Sequence, residues 1–258
     1  MIDVKIVAFN CSPRMRKSNT DRILIPLLQG ASNAGAEVDT IYTCEYDISP
    51  CRGCYSCWFK TQGVCVQEDD LITVAMKMAD ANIIILATPL HYFGMSVSMK
   101  NLWLRLGIPS ILPFFVKVDG KLAHPMRYSG LNIKLVLVAN ALLWGDDVFT
   151  FLVNSLNESF TRTVDDDGNA VIEMVGKILV EAGEMLGWNE VQGDLGPFNN
   201  QLRNAGEELA RDGKLSQVTE EKLNVPLWSY LGMDSEQAFE LANEHFGRSI
   251  EEGGHHEG

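Results

Sequence analysis

Four of the six cysteines of this 258-residue chain fall between positions 51 and 65, as Cys51-Arg-Gly-Cys54-Tyr-Ser-Cys57 and, after seven intervening residues, Cys65. Such crowding asks for a metal centre. The Cys-x2-Cys-x2-Cys run has the spacing of loops that wrap iron–sulfur clusters, whereas zinc sites usually draw separated Cys or His pairs from different arms of a fold. The same residues are also compatible with thiols that only pack a buried loop, because free cysteine behaves as a small apolar side chain.

A second group of polar side chains is Asn10-Cys-Ser12-Pro-Arg14-Met-Arg16-Lys-Ser18-Asn19-Thr20. It sits between an apolar run of strand length (4–9) and a segment with helical apolar spacing (19–34), which puts it at the carboxyl end of a first strand, where open α/β sheets take ligands. A phosphate there would meet the free N–H groups and positive dipole of the helix, with Ser12, Ser18, Asn19 and Thr20 as side-chain donors. The loop has neither Gly-x-Gly-x-x-Gly nor a Gly-Lys-Ser/Thr ending, so one phosphate suits it better than a pyrophosphate or triphosphate. Ser18, three residues before Asp21, also reads as an N-cap, and a cap leaves other N–H groups available.

These groups need a frame. Strands are expected at 4–9, 37–42, 83–87 and 133–139, alternating with helices at 19–34, 71–78 and 95–105, and the strands are apolar on both faces. That pattern implies a parallel sheet covered on both sides. Further helices are expected at 147–161 and 171–187, and a fifth strand at 190–195. Residues 1–196 would then form one domain and 197–258 a helix-prone extension with an acidic tail, with helices at 201–211 and 235–246. Composition agrees with a folded α/β chain, at 46% hydrophobic and 21% charged residues.

The loops carry a resemblance. Ser12-Pro-Arg14 with Ser18-Asn19-Thr20 resembles the FMN phosphate loop of flavodoxin-like NAD(P)H-dependent FMN reductases. Cys-x2-Cys-x2-Cys-x7-Cys followed by Asp69-Asp70 is similar to the compact motif of the iron–sulfur flavoproteins in that superfamily. The resemblance runs from residue 4 to about 105 and more weakly to about 210. It implies a flavodoxin-like, doubly wound, five-stranded parallel sheet with a helical C-terminal extension. It further implies FMN held by Ser12, Arg14, Ser18, Asn19 and Thr20 at the phosphate, and by Pro89, Leu90, His91, Tyr92, Phe93 and Gly94 at the ring. A third flavin loop is expected at 140–145, with Asn140 and Trp144. A 4Fe–4S cluster would sit on Cys51, Cys54, Cys57 and Cys65. Lys100 and Arg105 match a Lys then Asp-Arg pattern of the family, with Leu104 where the aspartate is expected.

The implied activity is oxidoreduction from NAD(P)H through FMN to a small-molecule or protein acceptor. No catalytic acid or base is required, because the flavin carries the chemistry. A homodimer or homotetramer would complete the site. Three alternatives stay open on the residues: a cluster-free flavin or quinone reductase, an FMN electron carrier without NAD(P)H activity, and a zinc-stabilised binding module. A net charge of −13 without a basic patch argues against nucleic acid and anionic membranes as partners. The opening Met1-Ile-Asp-Val-Lys lacks a basic n-region, no apolar run approaches the roughly 18 residues that cross a bilayer, and clustered thiols suit a reducing compartment; a cytoplasmic location is expected.

Overall fold

The computed structural model describes residues 4–189, 191, 195–251 and 253. Strand β1 (Lys5–Asn10) leads into α1 (Asn19–Asn33), β2 (Glu37–Tyr42), the cysteine loop with the short α2 (Ser56–Phe59), α3 (Leu71–Ala79), β3 (Ile83–Pro89) and α4 (Val97–Ser110). A hairpin, β4 (Val116–Val118) and β5 (Lys121–Pro125), precedes β6 (Ile133–Asn140), α5 (Thr150–Thr161), β7 (Thr163–Val164) and β8 (Ile172–Val180). Strands β2-β1-β3-β6-β8 form the expected five-stranded sheet, parallel throughout, and β4-β5-β7 make a small second sheet that the sequence pattern did not mark. The order reverses beside β1, so the carboxyl ends of β1 and β3 flank the crevice where such sheets bind ligands.

Two expectations need correction. Residues 171–187 do not form a helix; they form β8 followed by a 3-10 turn over Gly183–Gly187. The run Ile172-Glu-Met-Val-Gly-Lys-Ile-Leu-Val180 contains good helix formers, but eight residue pairings with β6 and alternating burial at its carboxyl half outweigh that propensity. The strand expected at 190–195 falls largely on residues outside those described, and β8 takes the fifth position.

After β8 the chain continues through α6 (Gly196–Asp212), α7 (Gln217–Leu223), α8 (Leu227–Tyr230) and α9 (Ser235–Glu251). One face of the sheet is covered by α1 and α6 and the other by α3, α4 and α5. The apolar stripe of α1, Ile23, Leu24, Leu27, Leu28 and Ala31, is buried as its spacing requires. α1 and α6 approach so closely that a Cβ on Gly206 would lie 1.9 Å from the Leu27 carbonyl oxygen, and one on Gly30 would lie 1.9 Å from that of Arg203. The later helices guard the open edge of β8: Glu220 accepts from the Lys177 N–H at 2.8 Å, Asn224 from the Leu179 N–H at 2.7 Å, and the Val175 carbonyl accepts from the Leu215 N–H at 2.8 Å. These bonds occupy an edge that would otherwise template another strand. Among the described residues no helix is long and apolar enough to cross a membrane.

Candidate functional site

The loop after β1 gathers the candidate phosphate-binding residues. Ser12, Ser18, Asn19 and Thr20 are all at most 2% exposed. Ser18 caps α1, its Oγ accepting from the Asp21 N–H at 3.0 Å and donating to the Met15 carbonyl at 2.6 Å. The N–H groups of Asn19 and Thr20, at the first two helical positions, meet no acceptor among the described residues, as helix starts leave them. Asp21 does not reach back to complete a capping box: its carboxylate accepts from Asn10 Nδ2 at 3.1 Å and from the Tyr42 hydroxyl at 2.8 Å. Burial and that carboxylate push the Tyr42 hydroxyl up to about 12, so it stays a proton donor across the physiological range.

Glu184, from the turn after β8, was not marked by the sequence. Its carboxylate accepts from Asn19 Nδ2 at 3.0 Å and from both terminal nitrogens of Arg14 at 3.3 and 3.5 Å. It holds two of the candidate phosphate-binding side chains in place while adding a negative charge beside them. Replacing it by Gln keeps an acceptor and removes the charge, and FMN binding should tighten several-fold at low ionic strength, with the gain shrinking as salt is added. Isothermal titration at two salt concentrations checks this.

Three loops meet at one residue. Asn140, 4% exposed at the end of β6, accepts the Thr20 hydroxyl proton on Oδ1 at 2.8 Å, while its backbone carbonyl accepts from the Leu90 N–H at 2.8 Å. Loops after β1, β3 and β6 are thereby tied at the carboxyl edge. Thr20→Val preserves shape but strands the buried Oδ1, and should cost about 1–3 kcal/mol in urea unfolding.

The loop after β3 ends in a reciprocal turn, His91 N–H to Gly94 O at 2.9 Å and Gly94 N–H to His91 O at 3.0 Å. Tyr92 and Phe93 occupy its centre with φ of 52° and 65°, a left-handed conformation that costs a non-glycine residue roughly 1–2 kcal/mol. Neither aromatic is in the core: Tyr92 is 99% exposed and Phe93 43%. Non-glycine residues held in this conformation cluster at active sites and ligand clamps. Gly94 needs no special backbone, since a Cβ there would meet only the His91 carbonyl at 3.7 Å. Pro89 ends β3 in register with Asn140. His91 lines a cavity of about 450 Å³ with Pro13, Thr43, Tyr46, Ser96 and Ser98. The Trp144 Nε1–H donates to Ser235 Oγ at the start of α9 at 3.1 Å. A larger apolar cavity of about 600 Å³ lies near the amino ends of the strands, lined by Met78, Ile84, Leu102 and Trp103, and holds none of the candidate site residues.

The cysteine loop is tied at its neck. The Asp70 N–H donates to the Asp47 carbonyl at 3.0 Å, Asp47 N–H to the Asp70 carboxylate at 2.8 Å, Ser49 N–H to Asp69 Oδ2 at 3.1 Å, and Gln67 Nε2 to the Pro50 carbonyl at 3.2 Å. Arg105, which the sequence suggested only as a family match, is wholly buried and forks onto Asp69 at 2.7 and 3.0 Å and onto the Ser49 carbonyl at 2.7 Å. Within the loop, left-handed Gly53 (φ 63°) and Tyr55 (φ 53°) turn the chain around Cys54. Burial pushes the Cys57 thiol up, and the charges of Cys65, Cys54 and Cys51 add to it. Cys54 is exposed and held low by the Ser56 side chain and N–H. Burial drives Cys11, the residue after β1, up to about 12. In metal-free protein iodoacetamide should therefore modify Cys54 first and Cys11 last, because the thiolate is the reactive form; peptide mass mapping over time reads the order. Among the described residues no three His, Cys, Asp or Glu side chains converge on a single-ion site. The donor set still suits a multinuclear cluster, whose own irons and sulfides span the distance between ligands.

Comparison with known proteins agrees with this geometry. The model of the NADPH-dependent FMN reductase family matches residues 4–144, more than half of the chain. An iron-sulfur flavoprotein of Archaeoglobus fulgidus is 33% identical over 99 residues, 38% of this chain and 47% of that protein. One from Methanosarcina thermophila is 31% identical over 102 residues, 40% of this chain and 52% of the relative. The matches thus span about half the length of these curated relatives. Among solved structures, an NAD(P)H:quinone oxidoreductase from Methanothermobacter marburgensis superposes with a TM-score of 0.52 at 14% identity, covering 80% of this chain and 97% of the other. An FMN-dependent NADH-azoreductase from Bacillus anthracis in complex with FMN gives 0.52 at 14% identity, covering 81% and 100%. At such identities the likeness is one of fold, flavodoxin-like in each case. With the family model spanning the candidate phosphate loop, the cysteine loop, the strained turn and Asn140, this chain belongs to the NADPH-dependent FMN reductases.

Proposed function

We propose that this chain is an FMN-dependent oxidoreductase that takes electrons from NAD(P)H and delivers them, by way of a 4Fe–4S cluster on Cys51, Cys54, Cys57 and Cys65, to a small-molecule or protein acceptor. The observation that carries the flavin part is the convergence of three loops on Asn140, which brings a phosphate cradle and an exposed aromatic turn to one edge of the sheet. Ser12, Ser18, Asn19 and Thr20, with the free N–H groups of α1, hold the phosphate, and Arg14 adds charge from outside. Pro89, Leu90, His91, Tyr92, Phe93 and Gly94 present backbone and aromatic surface to the ring, and Asn140 fixes their distance from the cradle. Trp144 braces the third loop against α9. When bound, FMN supplies hydride acceptance from the nicotinamide and onward electron transfer; the cluster would relay single electrons.

The relatives named iron-sulfur flavoprotein support the cluster, as does a cysteine loop fixed at its neck. Exposed Tyr92, Phe93, Val97, Leu142 and Leu143 near the carboxyl edge support a homo-oligomer in which a second copy covers the flavin. Purified protein titrated with FMN should bind one equivalent per chain and then oxidise NADPH under anaerobic conditions when an artificial acceptor is supplied. FMN binding with no NAD(P)H oxidation would instead mark an electron carrier.

A further inference from the structure

The amino end of α1 and the C-terminal helix α9 border a cavity of about 340 Å³ beside the loop after β1. On the first side α1 contributes Asn19 and, one turn on, Arg22, while Arg14 and Lys17 line it from the loop. The other side is α9, set in place where His245 stacks on buried Trp188, with ring centroids 4.2 Å and planes 19° apart, and where Phe246 meets the same indole edge-on at 5.8 Å. Arg248, three residues after His245 and so on the same face of α9, lines the cavity as well. Trp188 and α9 lie beyond the residues that the family model matches.

Four cations thus border one cavity in a chain of net charge −13, and among the described lining residues the sole carboxylate is Glu184. Glu184 already accepts from Arg14 at 3.3 Å and from Asn19 at 3.0 Å. Arg248 lies 3.9 Å from Glu244 in a solvent-exposed pair, which is a weak one. Arg22 meets no acceptor among the described residues. Like charges brought together repel, and a dianion placed between them reverses the sign of that energy. The volume is more than a bare phosphate fills and lies at the lower end of small-ligand pockets. Half-buried His245 and Phe246 offer flat apolar surface to a sugar or base.

We propose that this cavity is a second phosphate site, closed by the C-terminal extension, that takes the phosphomonoester of a nucleotide on Arg22 and Arg248, with Lys17 adding charge. The guanidinium fork suits the tetrahedral oxygens of a phosphate better than a point charge does. The cavity borders Arg14 and Asn19, so an electron donor stretched from the ring loop past the flavin phosphate would end there. The 2′-phosphate of NADPH is one source of such a group, and that source rests on the functional reading above; a free nucleotide bearing the same group is the other, and the site itself depends on neither. Binding so far from the reacting carbon acts on ground state and transition state alike, so it changes KM and leaves kcat.

The test uses the full chain loaded with FMN. 2′-AMP, adenosine and inorganic phosphate are titrated calorimetrically into wild type, Arg22→Gln and Arg248→Gln, and kcat and KM for NADPH and NADH are measured with an artificial acceptor. Both arginines are exposed on helices, and FMN content with circular dichroism controls for folding. Wild type should bind 2′-AMP, inorganic phosphate more weakly and adenosine not at all. Each variant should weaken 2′-AMP by about tenfold, as loss of a charge-assisted hydrogen bond does, and added salt should weaken it in wild type. A matching rise in KM for NADPH, with kcat and both NADH constants unmoved, identifies the donor's 2′-phosphate as the occupant. Weakened 2′-AMP with unmoved constants for both donors supports the site with a separate nucleotide in it. Wild type that binds no 2′-AMP, or variants that bind it as tightly, overturn the proposal. A chain that takes up FMN and oxidises neither donor contradicts the functional reading, and the 2′-AMP titration still decides the site.

Discussion

Asp69→Ala is expected to lose about 3–5 kcal/mol of stability, because it removes one partner of an ion pair whose side chains are 0% and 3% exposed and leaves the Arg105 charge buried and uncompensated. The loss should exceed that of any surface carboxylate, such as Glu158 or Glu207 in their exposed i,i+4 pairs, which are worth well under 1 kcal/mol. Urea unfolding of the metal-free protein gives the value without contribution from bound iron. The pH dependence follows from the same pair. Burial acts to raise the Asp69 pKa, but Arg105 and the N–H groups of Leu71 and Ser49 prevail and hold it below the ordinary carboxylate range. A depressed folded-state pKa gives stability that is present above the unfolded value and is lost as pH falls through the folded one. Wild type should therefore weaken on acidification below the normal aspartate pKa, and Asp69→Ala should show a flatter acid limb.

Gly206→Ala is also expected to be strongly destabilising. Its Cβ would stand 1.9 Å from the Leu27 carbonyl oxygen and 2.7 Å from the Ala31 nitrogen, and both are backbone atoms that cannot swing aside. The two helices must separate, opening the core formed by Leu27, Ala31, Leu202 and Leu209, and overpacking of this kind costs typically 1–3 kcal/mol and more where backbone must move. Gly247→Ala, with no atom within 4 Å of its Cβ, is the control: it should be neutral or stabilising, since alanine favours the helix. A fall in thermal midpoint for the first and not the second, by circular dichroism, checks the close contact between α1 and α6.

What the chain discloses directly is local. Ser18 before Asn19 and the stripe of Ile23, Leu27 and Ala31 mark α1 and its cap, and Ile83–Leu86 needs no partner to be read as a buried strand. The cysteine spacing likewise identifies its own loop. What stays hidden depends on residues far apart in sequence. Arg105 and Asp69 are 36 positions apart, Thr20 and Asn140 are 120, and Glu184 reaches Asn19 across 165, so no short window of sequence contains both partners of any of these bonds. β8 was legible as apolar but not as a strand, because its pairing with β6 decides the matter. The left-handed turn at Tyr92-Phe93 was unreadable for another reason: aromatic residues disfavour it, and the surrounding bonds of His91 and Gly94 impose it.

The most direct measurement is an anaerobic absorption spectrum of the purified full chain, with FMN, iron and acid-labile sulfide assayed on the same sample. One FMN per chain together with about four irons and four sulfides, and a broad shoulder near roughly 400 nm under the flavin bands, is the predicted result. Flavin without iron would contradict the cluster and leave a two-electron reductase, and absence of both would contradict the account as a whole.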